Sequence, residues 1–463
     1  MLFNVKTKHH KTGEELELTY DNQSNILTRK SDGFVYAFDE KTSSEPMTKY
    51  KSFSKDNPLT KSKDIKRLRI QLGLSCNYSC EYCSQRSVDR PPNTSKKDID
   101  TFMEGLDKNN LIAYSNGETR IEYWGGEPFV YWKTLKPLHE AILKRAEERG
   151  EKVSFFMSTN GALIDEEISQ WIIENKIYIG LSHDGPGQHV RGPDPLENPK
   201  TKEFVLDIYK NHKLLSFNPT LSSTNYSRKE IYDWFVNLTG DPNVILPQGD
   251  IVDVYDEGSV NNSPLSRKEQ FDFRKTAFDD LFNNGSMGFI HINEKIDYFT
   301  RGVLEQYNSD FVTTKCGMHD EHTITVDLNG NVTTCFAVTA IEVAPNGQPH
   351  LSGHITDVEN VKITSSTHWT NREHCKDCPV LHICRGACMF LDGKLWDITC
   401  SNSYSNNIPL FAIGIAKITR GFVPYFIESP TLPDYRKDIW GDILEHKESR
   451  HHKVIPIQIA KSK

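Results

Sequence analysis

The chain is predicted to be α/β: a parallel sheet or partial barrel built from six strand–helix units, with a cysteine-rich segment behind it. Three observations predict this. From residue 66 to about 290, short β-branched runs alternate with longer amphipathic runs, the rhythm of a parallel sheet with crossover helices. Beyond residue 300 the rhythm breaks. The ten cysteines fall into two groups, three near residue 80 and seven in the last third. The 463 residues, 37% hydrophobic and 25% charged with 28 Gly and 22 Pro, exclude a collagen, a low-complexity chain and a disordered one. A net charge of -8 lacks the basic footprint of a general nucleic-acid binder, so no nucleic-acid partner is expected.

Residues 1–48 alternate apolar and polar positions around Asp21-Asn22 and Asp32-Gly33, which predicts one or two β-hairpins. Residues 49–64, with Lys49, Lys51, Lys55, Lys61 and Lys63, read as an exposed linker or a basic partner-binding strip. Strands are expected near Arg67–Leu72, Arg120–Tyr123, Val153–Met157, Ile177–Leu181, Leu214–Leu221 and Asn243–Leu246. Helices are expected near Asp98–Leu111, Lys133–Arg149, Asp165–Asn175, Lys200–Lys210, Ser227–Asn237 and Arg267–Asn283, with Ser227 and Glu230 spaced as a capping box. In the cysteine-rich stretch Thr323–Val326 followed by Asn329-Gly330 predicts a hairpin. The expected division is 1–65, 66–290, 300–405 and a tail over 406–463. The most apolar run near the C-terminus, Ile408–Ala416, stops at Lys417, well short of the roughly 20 residues a membrane span needs. With no signal-peptide pattern either, no membrane association and a cytoplasmic location are expected, where thiols stay reduced.

Cys76-X3-Cys80-X2-Cys83 follows the first strand of the α/β unit, and loops at strand C-termini are where active sites gather. Three thiolates on so short a loop can hold three irons of a [4Fe–4S] cubane and leave the fourth iron open. Zinc is the competing reading, but structural zinc takes four protein ligands and no fourth Cys or suitably spaced His is near.

The triplet, with Tyr82 before its last cysteine, resembles the signature of the radical S-adenosylmethionine (SAM) enzymes. The second strand ends in Gly125-Gly126-Glu127-Pro128, the third in Ser158-Thr159-Asn160-Gly161 and the fourth in Ser182-His183-Asp184-Gly185-Pro186. Each resembles a motif of that family at the expected place. The resemblance implies a partial (β/α)6 radical SAM barrel whose cluster is held by Cys76, Cys80 and Cys83. SAM would be contacted by Tyr82, Gly125, Gly126, Glu127, Pro128, Ser158, Asn160, Ser182 and Asp184. Two glycines would let the backbone approach the SAM amino group, and Glu127 would complement its charge. His183 is expected as a proton carrier or a packed histidine, and Asp184 and Arg191 as loop residues near the mouth.

Cys316, Cys335, Cys375, Cys378, Cys384, Cys388 and Cys400 match the seven-cysteine SPASM pattern at every position. That resemblance implies two auxiliary iron–sulfur clusters, one on Cys375, Cys378, Cys384 and Cys400, the other on Cys316, Cys335 and Cys388. The second is one ligand short, and Asp310 stands where some relatives carry an eighth cysteine. Zinc remains the minority alternative at the paired cysteines.

The family's members with this extension mostly modify peptides or proteins, so a peptide or protein substrate is implied, with flavodoxin or ferredoxin as electron donor. Anaerobic sulfatase maturases, which the pattern also resembles, carry an Asp after the cysteine equivalent to Cys335. Phe336 stands there instead, which counts against formylglycine formation. A small-molecule radical enzyme and a non-catalytic iron–sulfur or zinc protein are the alternatives.

Overall fold

The computed structural model describes residues 1–38, 53–92, 94–344, 347–364 and 367–442. Lys49, Lys51 and the basic end of the tail lie outside the described residues.

The N-terminal alternation folds as a meander of β1 (Leu2–His9), β2 (Glu15–Asp21) and β3 (Ile26–Arg29), with Phe3, Val5, Leu18, Tyr20 and Leu27 buried on one face. A two-residue strand β4 (Leu59–Thr60) follows. Lys61, expected in an exposed linker, is buried. Its ammonium donates to the carbonyls of Met318 at 2.9 Å and Asp320 at 2.7 Å, and burial lowers its pKa to about 8. Two carbonyls replace the water this cation gives up.

The predicted strand–helix rhythm appears as β5 (Arg67–Gln71), β6 (Thr119–Trp124), β7 (Val153–Thr159), β8 (Tyr178–Leu181) and β9 (Leu215–Phe217), parallel neighbours in that order. The sheet continues past β5 through β10 (Thr323–Asp327), parallel to it, then antiparallel β11 (Asn331–Thr333) and β12 (Leu351–His354). The predicted hairpin falls between β10 and β11, with Gly330 at φ 86°. β13 (Lys362–Ile363) pairs with β4, and β14 (Phe422–Glu428) returns to pair with β1.

The sixth predicted strand, Asn243–Leu246, is not a regular member of this sheet. Phe217 N–H donates to the Ile245 carbonyl at 3.3 Å, so the segment occupies the next position, but Pro242 and Pro247 flank it and neither can donate to a ladder. Its other edge meets Gly288–Ile290 at the start of the helix Ile290–Leu304.

The sheet is two-faced. Leu68, Ile70, Ile121, Tyr123, Met157, Ile179, Leu181 and Phe217 are fully buried and pack against Phe102, Leu106, Leu135, Leu138, Ile142 and Ile172 of the covering helices. Each such side chain contributes about 1.5–3 kcal/mol of burial. The helices are Ile99–Asn109, Trp132–Arg149, Glu166–Glu174, Pro199–Asp207 and Arg228–Thr239, close to expectation. Ser227 caps the last by accepting from Glu230 N–H at 3.2 Å. The opposite face carries Arg67, Arg69, Gln71, Arg120, Glu122, Trp124, Phe156 and Ser158 in register.

A helix over Gly393–Ile418 runs through the boundary expected at 405/406, with Asn402 through Ala416 buried against the helices Arg267–Asn284 and Ile290–Leu304. Among the described residues no helix is long and apolar enough to cross a membrane.

Candidate active site and auxiliary cysteine sites

The loop after β5 carries Cys76, Cys80 and Cys83. It is fixed by backbone contact with the loop after β6. Gly126 N–H donates to the Gly73 carbonyl at 2.9 Å and Glu127 N–H to the Ser75 carbonyl at 3.0 Å. A Cβ at Gly125 would overlap the Gly73 carbonyl, and one at Gly126 the Leu74 and Ser75 carbonyls. The glycine pair is therefore required by the cysteine loop itself, a demand the sequence did not reveal. Ser75 N–H donates to the Tyr131 hydroxyl at 2.7 Å.

The three thiols lie within electrostatic reach of one another. Tyr78 N–H points at Cys76 Sγ at 3.3 Å, and Asn160 Nδ2 lies 3.9 Å from that sulfur while donating to Asn77 Oδ1 at 2.8 Å. Burial raises Cys76 and pushes Cys80 up to about 11, so without metal these are thiols. Cluster ligation takes thiolates and so releases protons.

Glu127, 1% exposed, joins the ends of β6 and β7. Oε1 accepts from Phe129 N–H at 3.2 Å and from the Thr159 hydroxyl at 2.7 Å, and Oε2 from Asn160 N–H at 2.8 Å. The first of these caps the short 3-10 turn Pro128–Tyr131. Burial raises its pKa to about 7 against these donors. Ser158 and Ser182 hydroxyls sit 3.3 Å apart at the ends of β7 and β8.

Tyr82 and Asp184 meet in a buried cluster. The Tyr82 hydroxyl donates to Asp184 Oδ2, Thr220 N–H donates to Oδ1 at 2.8 Å, and Arg191 Nη2 stands 3.0 Å from Oδ1. Arg191, expected as a loop residue near the mouth, lies over the Tyr82 ring at 5.4 Å. His183 is packed rather than facing a cavity. It is fully buried, 3.0 Å from Asp194 Oδ1, accepts from Gly185 N–H and stacks on Trp234 at 4.8 Å. Gln248 lines a polar cleft of about 460 Å³ with Asp250, Lys295, Arg385 and Cys384.

The seven remaining cysteines separate into two sets. Cys375, Cys378, Cys384 and Cys400 line one cavity with Tyr404 and Arg436. Burial pushes Cys378 up to about 12 and raises Cys375 and Cys384. Cys335, pushed up to about 12 by burial, lies within electrostatic reach of Cys316 and Cys388, and Ala337 N–H points at its sulfur at 3.4 Å. The Tyr255 hydroxyl hydrogen-bonds to Cys388, and Asp253, paired with Lys315 at 2.8 Å, lies near the same sulfur. Asp310 is exposed in the short turn Ser309–Phe311. Among the described residues no three His, Cys, Asp or Glu side chains are grouped for a single metal ion. One thiol trio and one thiol quartet are the donor sets cubane clusters use.

Three residues at these sites were not anticipated: Thr159, Arg436 and Asn22, whose side chain donates to the carbonyls of Lys376 and Cys378 at 3.0 and 2.9 Å. Thr159 could have been found from its place between Ser158 and Asn160 at a strand end. Nothing in the cysteine spacing points to the other two.

Residues 70–229 match the Radical SAM superfamily, and the chain carries a radical SAM domain there. Two curated relatives are similar over most of their length. The radical SAM cyclopropyl synthase TigE of Paramaledivibacter caminithermalis is 23% identical over 81% of this chain and 78% of its own. A cysteine-type anaerobic sulfatase-maturating enzyme of Clostridium perfringens is 26% identical over 68% of this chain and 85% of its own. The solved structure of anSMEcpe with bound AdoMet has the same fold, with TM-score 0.52 and 20% identity over 75% of this chain and 99% of that one. The chain thus carries a radical SAM domain similar to that of the sulfatase maturases, and its cysteine-rich C-terminal region fits the SPASM arrangement. The family implies a [4Fe–4S] cluster and SAM.

Proposed function

We propose that this enzyme abstracts hydrogen from a peptide or protein substrate for post-translational modification, with Cys76, Cys80 and Cys83 holding the SAM-binding cluster. A bound cluster and SAM together would supply the 5′-deoxyadenosyl radical that attacks an unactivated C–H bond. The chain's own part is to bind, orient and exclude water. The observation that carries the reading is the convergence of the thiol trio with the strand ends Gly125–Pro128, Ser158–Asn160 and Ser182–Asp184.

Roles follow from chemistry. Glu127 presents a carboxylate whose remaining lone pair suits an ammonium group, and such a cation would draw its pKa back down. Ser158, Asn160 and Ser182 offer hydroxyl and amide groups for a ribose. Tyr82, Asp184 and Arg191 form a rigid wall beside Cys80. Gly125, Gly126 and Pro128 set the loop that brings Glu127 into place. A one-electron donor such as flavodoxin or ferredoxin would reduce the cluster. The C-terminal cysteines would hold two auxiliary iron–sulfur clusters, and the division into 66–290 and 300–405 follows that assignment.

The peptide substrate is supported by the maturase and cyclopropyl synthase relatives, and by the related fold of anSMEcpe solved with AdoMet and a peptide. Formylglycine formation is the second reading, favoured by the maturase relatives. Against it, the Phe336 ring packs 4.2 Å from the Trp124 ring, with Arg69 5.2 Å above it, where a base would be wanted.

The test is anaerobic reconstitution, with iron and sulfide counts and 5′-deoxyadenosine release under dithionite. The triple variant Cys76→Ala, Cys80→Ala, Cys83→Ala is expected to lose one cluster of about three and all SAM cleavage. Cleavage that persists in the variant sinks the assignment.

A further inference from the structure

The four-cysteine cavity contains a cation that the cysteine motif does not announce. Arg436 lies 36 residues beyond Cys400, in the short helix Asp434–Lys437, and turns back so that Nη2 stands 3.3 Å from Cys400 Sγ. The residue is 6% exposed. Its guanidinium lies 4.8 Å from the Tyr404 ring and 5.7 Å from the Tyr435 ring, and the Tyr404 hydroxyl donates to the Arg436 carbonyl at 2.7 Å. Its Nε is buried without a hydrogen-bond acceptor among the described residues.

A guanidinium stays charged at any accessible pH. Burying one without a counter-charge costs several kcal/mol. The strongest negative neighbours of Arg436 are the sulfurs of Cys400 and Cys378. Iron would take those sulfurs as thiolates and so give the guanidinium its counter-charge. The cavity is therefore lined by a fixed positive charge at Cys400 Sγ, on a guanidinium that also holds one buried unused donor.

We propose that Arg436 is a positioning residue for an iron–sulfur cluster on Cys375, Cys378, Cys384 and Cys400, and that its charge makes this cluster easier to reduce. The inference rests on the reading of those four cysteines as cluster ligands. Four thiolates around a doubly positive cubane core give a net charge of about -2, and one electron from an external donor takes it to about -3 with no bond made or broken. A cation hydrogen-bonded to a ligand sulfur stabilises the more negative state more strongly. Arg372 is a useful contrast. It is also buried, but its Nη2 donates to the carbonyls of Cys388 and Leu391 at 3.1 and 2.9 Å rather than to a ligand sulfur.

The experiment is a redox titration followed by electron paramagnetic resonance on full-length reconstituted protein, with iron and sulfide counted. The signal of interest is the one lost in Cys400→Ala. Arg436→Gln is expected to retain its iron and to be at least tenfold harder to reduce at this cluster, about 59 mV for one electron. Arg436→Lys is expected to fall between the two. An unchanged potential in Arg436→Gln with the cluster retained overturns the proposal. So does equal loss of the cluster in both variants, because the charge-retaining lysine would then rescue nothing. Loss in Arg436→Gln alone, with Arg436→Lys titrating near wild type, supports it. Wild-type protein carrying redox-silent zinc at these cysteines would instead overturn the ligand reading itself, whatever the variants do.

Discussion

Glu127 combines two demands that usually conflict. It must be buried to join β6 to β7, yet it has to keep a carboxylate available. Three donors hold it, and burial still leaves its pKa at about 7 against an ordinary 4.5. A carboxyl raised on folding contributes stability that is full below the unfolded value and is lost as pH rises through the folded one. The rise is worth on the order of 3 kcal/mol across that window. Glu127→Gln removes this titration at the constant cost of one donor bond. The urea stability of the variant relative to wild type is therefore expected to improve steadily from about pH 5 to 7. A flat difference, or one of opposite slope, would show that the buried carboxyl is not the titrating group. Glu127 was legible because it sits in a short motif with two glycines. Arg436 acts through contacts that only the folded chain creates, and an arginine is not unusual where it stands.

At the level of elements, the sheet shows what patterning can and cannot reveal. Five strands were legible as short apolar runs, most plainly β5 and β6, where Leu68, Ile70 and Ile121 alternate with Arg67, Arg69, Gln71, Arg120 and Glu122. The sixth, Asn243–Leu246, has a strand's apolar content, but Pro242 and Pro247 limit the segment's hydrogen bonding at both ends. The helix Gly393–Ile418 was hidden for the opposite reason. Its Ser–Asn run and Pro409 have low helix propensity, and burial against two other helices overrides it. The polar face of the sheet also carries a testable element-level interaction. Glu122, with a side chain 4% exposed, faces Arg67 at 3.2 Å, Arg69 at 2.9 Å and Arg120 at 3.0 Å. One carboxylate thus holds three guanidiniums across β5 and β6. Glu122→Gln leaves them mutually repelling. The expected loss is about 1–3 kcal/mol, below that of a fully buried pair because Arg67 and Arg120 are over a third exposed. Urea unfolding checks it, and 1 M salt should narrow the gap. A gap that salt widens would mean packing, not charge, is responsible.

On the scale of the whole molecule, segments far apart in sequence, around Asn22 and around Arg436, converge on the four-cysteine site. β14 leads from the helix that carries Cys400 back to β1, and on to Arg436. From the other end, the turn after β2 places Asn22, fully buried, against the loop of Cys375 and Cys378. Its Nδ2 donates to the carbonyls of Lys376 and Cys378 at 3.0 and 2.9 Å, and the His382 ring Nε2 lies 2.7 Å from the Asn22 carbonyl. These contacts bridge more than 350 positions of sequence. A hairpin that looked like a separate N-terminal unit is thus a brace for the loop of Cys375 and Cys378. Replacing Asn22 with Ala takes a donor from two part-buried carbonyls, of which that of Cys378 keeps Leu381 N–H at 3.3 Å, so the local loss is about 1–2 kcal/mol in all. Global unfolding should change little, because the barrel's apolar core is untouched, but the Cys375–Cys378 loop should open more often. Iron is then expected to leave the four-cysteine site of Asn22→Ala about tenfold or more faster under a strong chelator, since about 1.4 kcal/mol of lost local stability is a tenfold change in the open fraction. The cluster proposed on Cys76, Cys80 and Cys83 would lie on another loop and should release its iron at the wild-type rate. Release from both sites accelerated alike would mean that Asn22 supports the fold in general. Release unchanged at both would mean that the N-terminal sheet does not brace the cysteine loop at all.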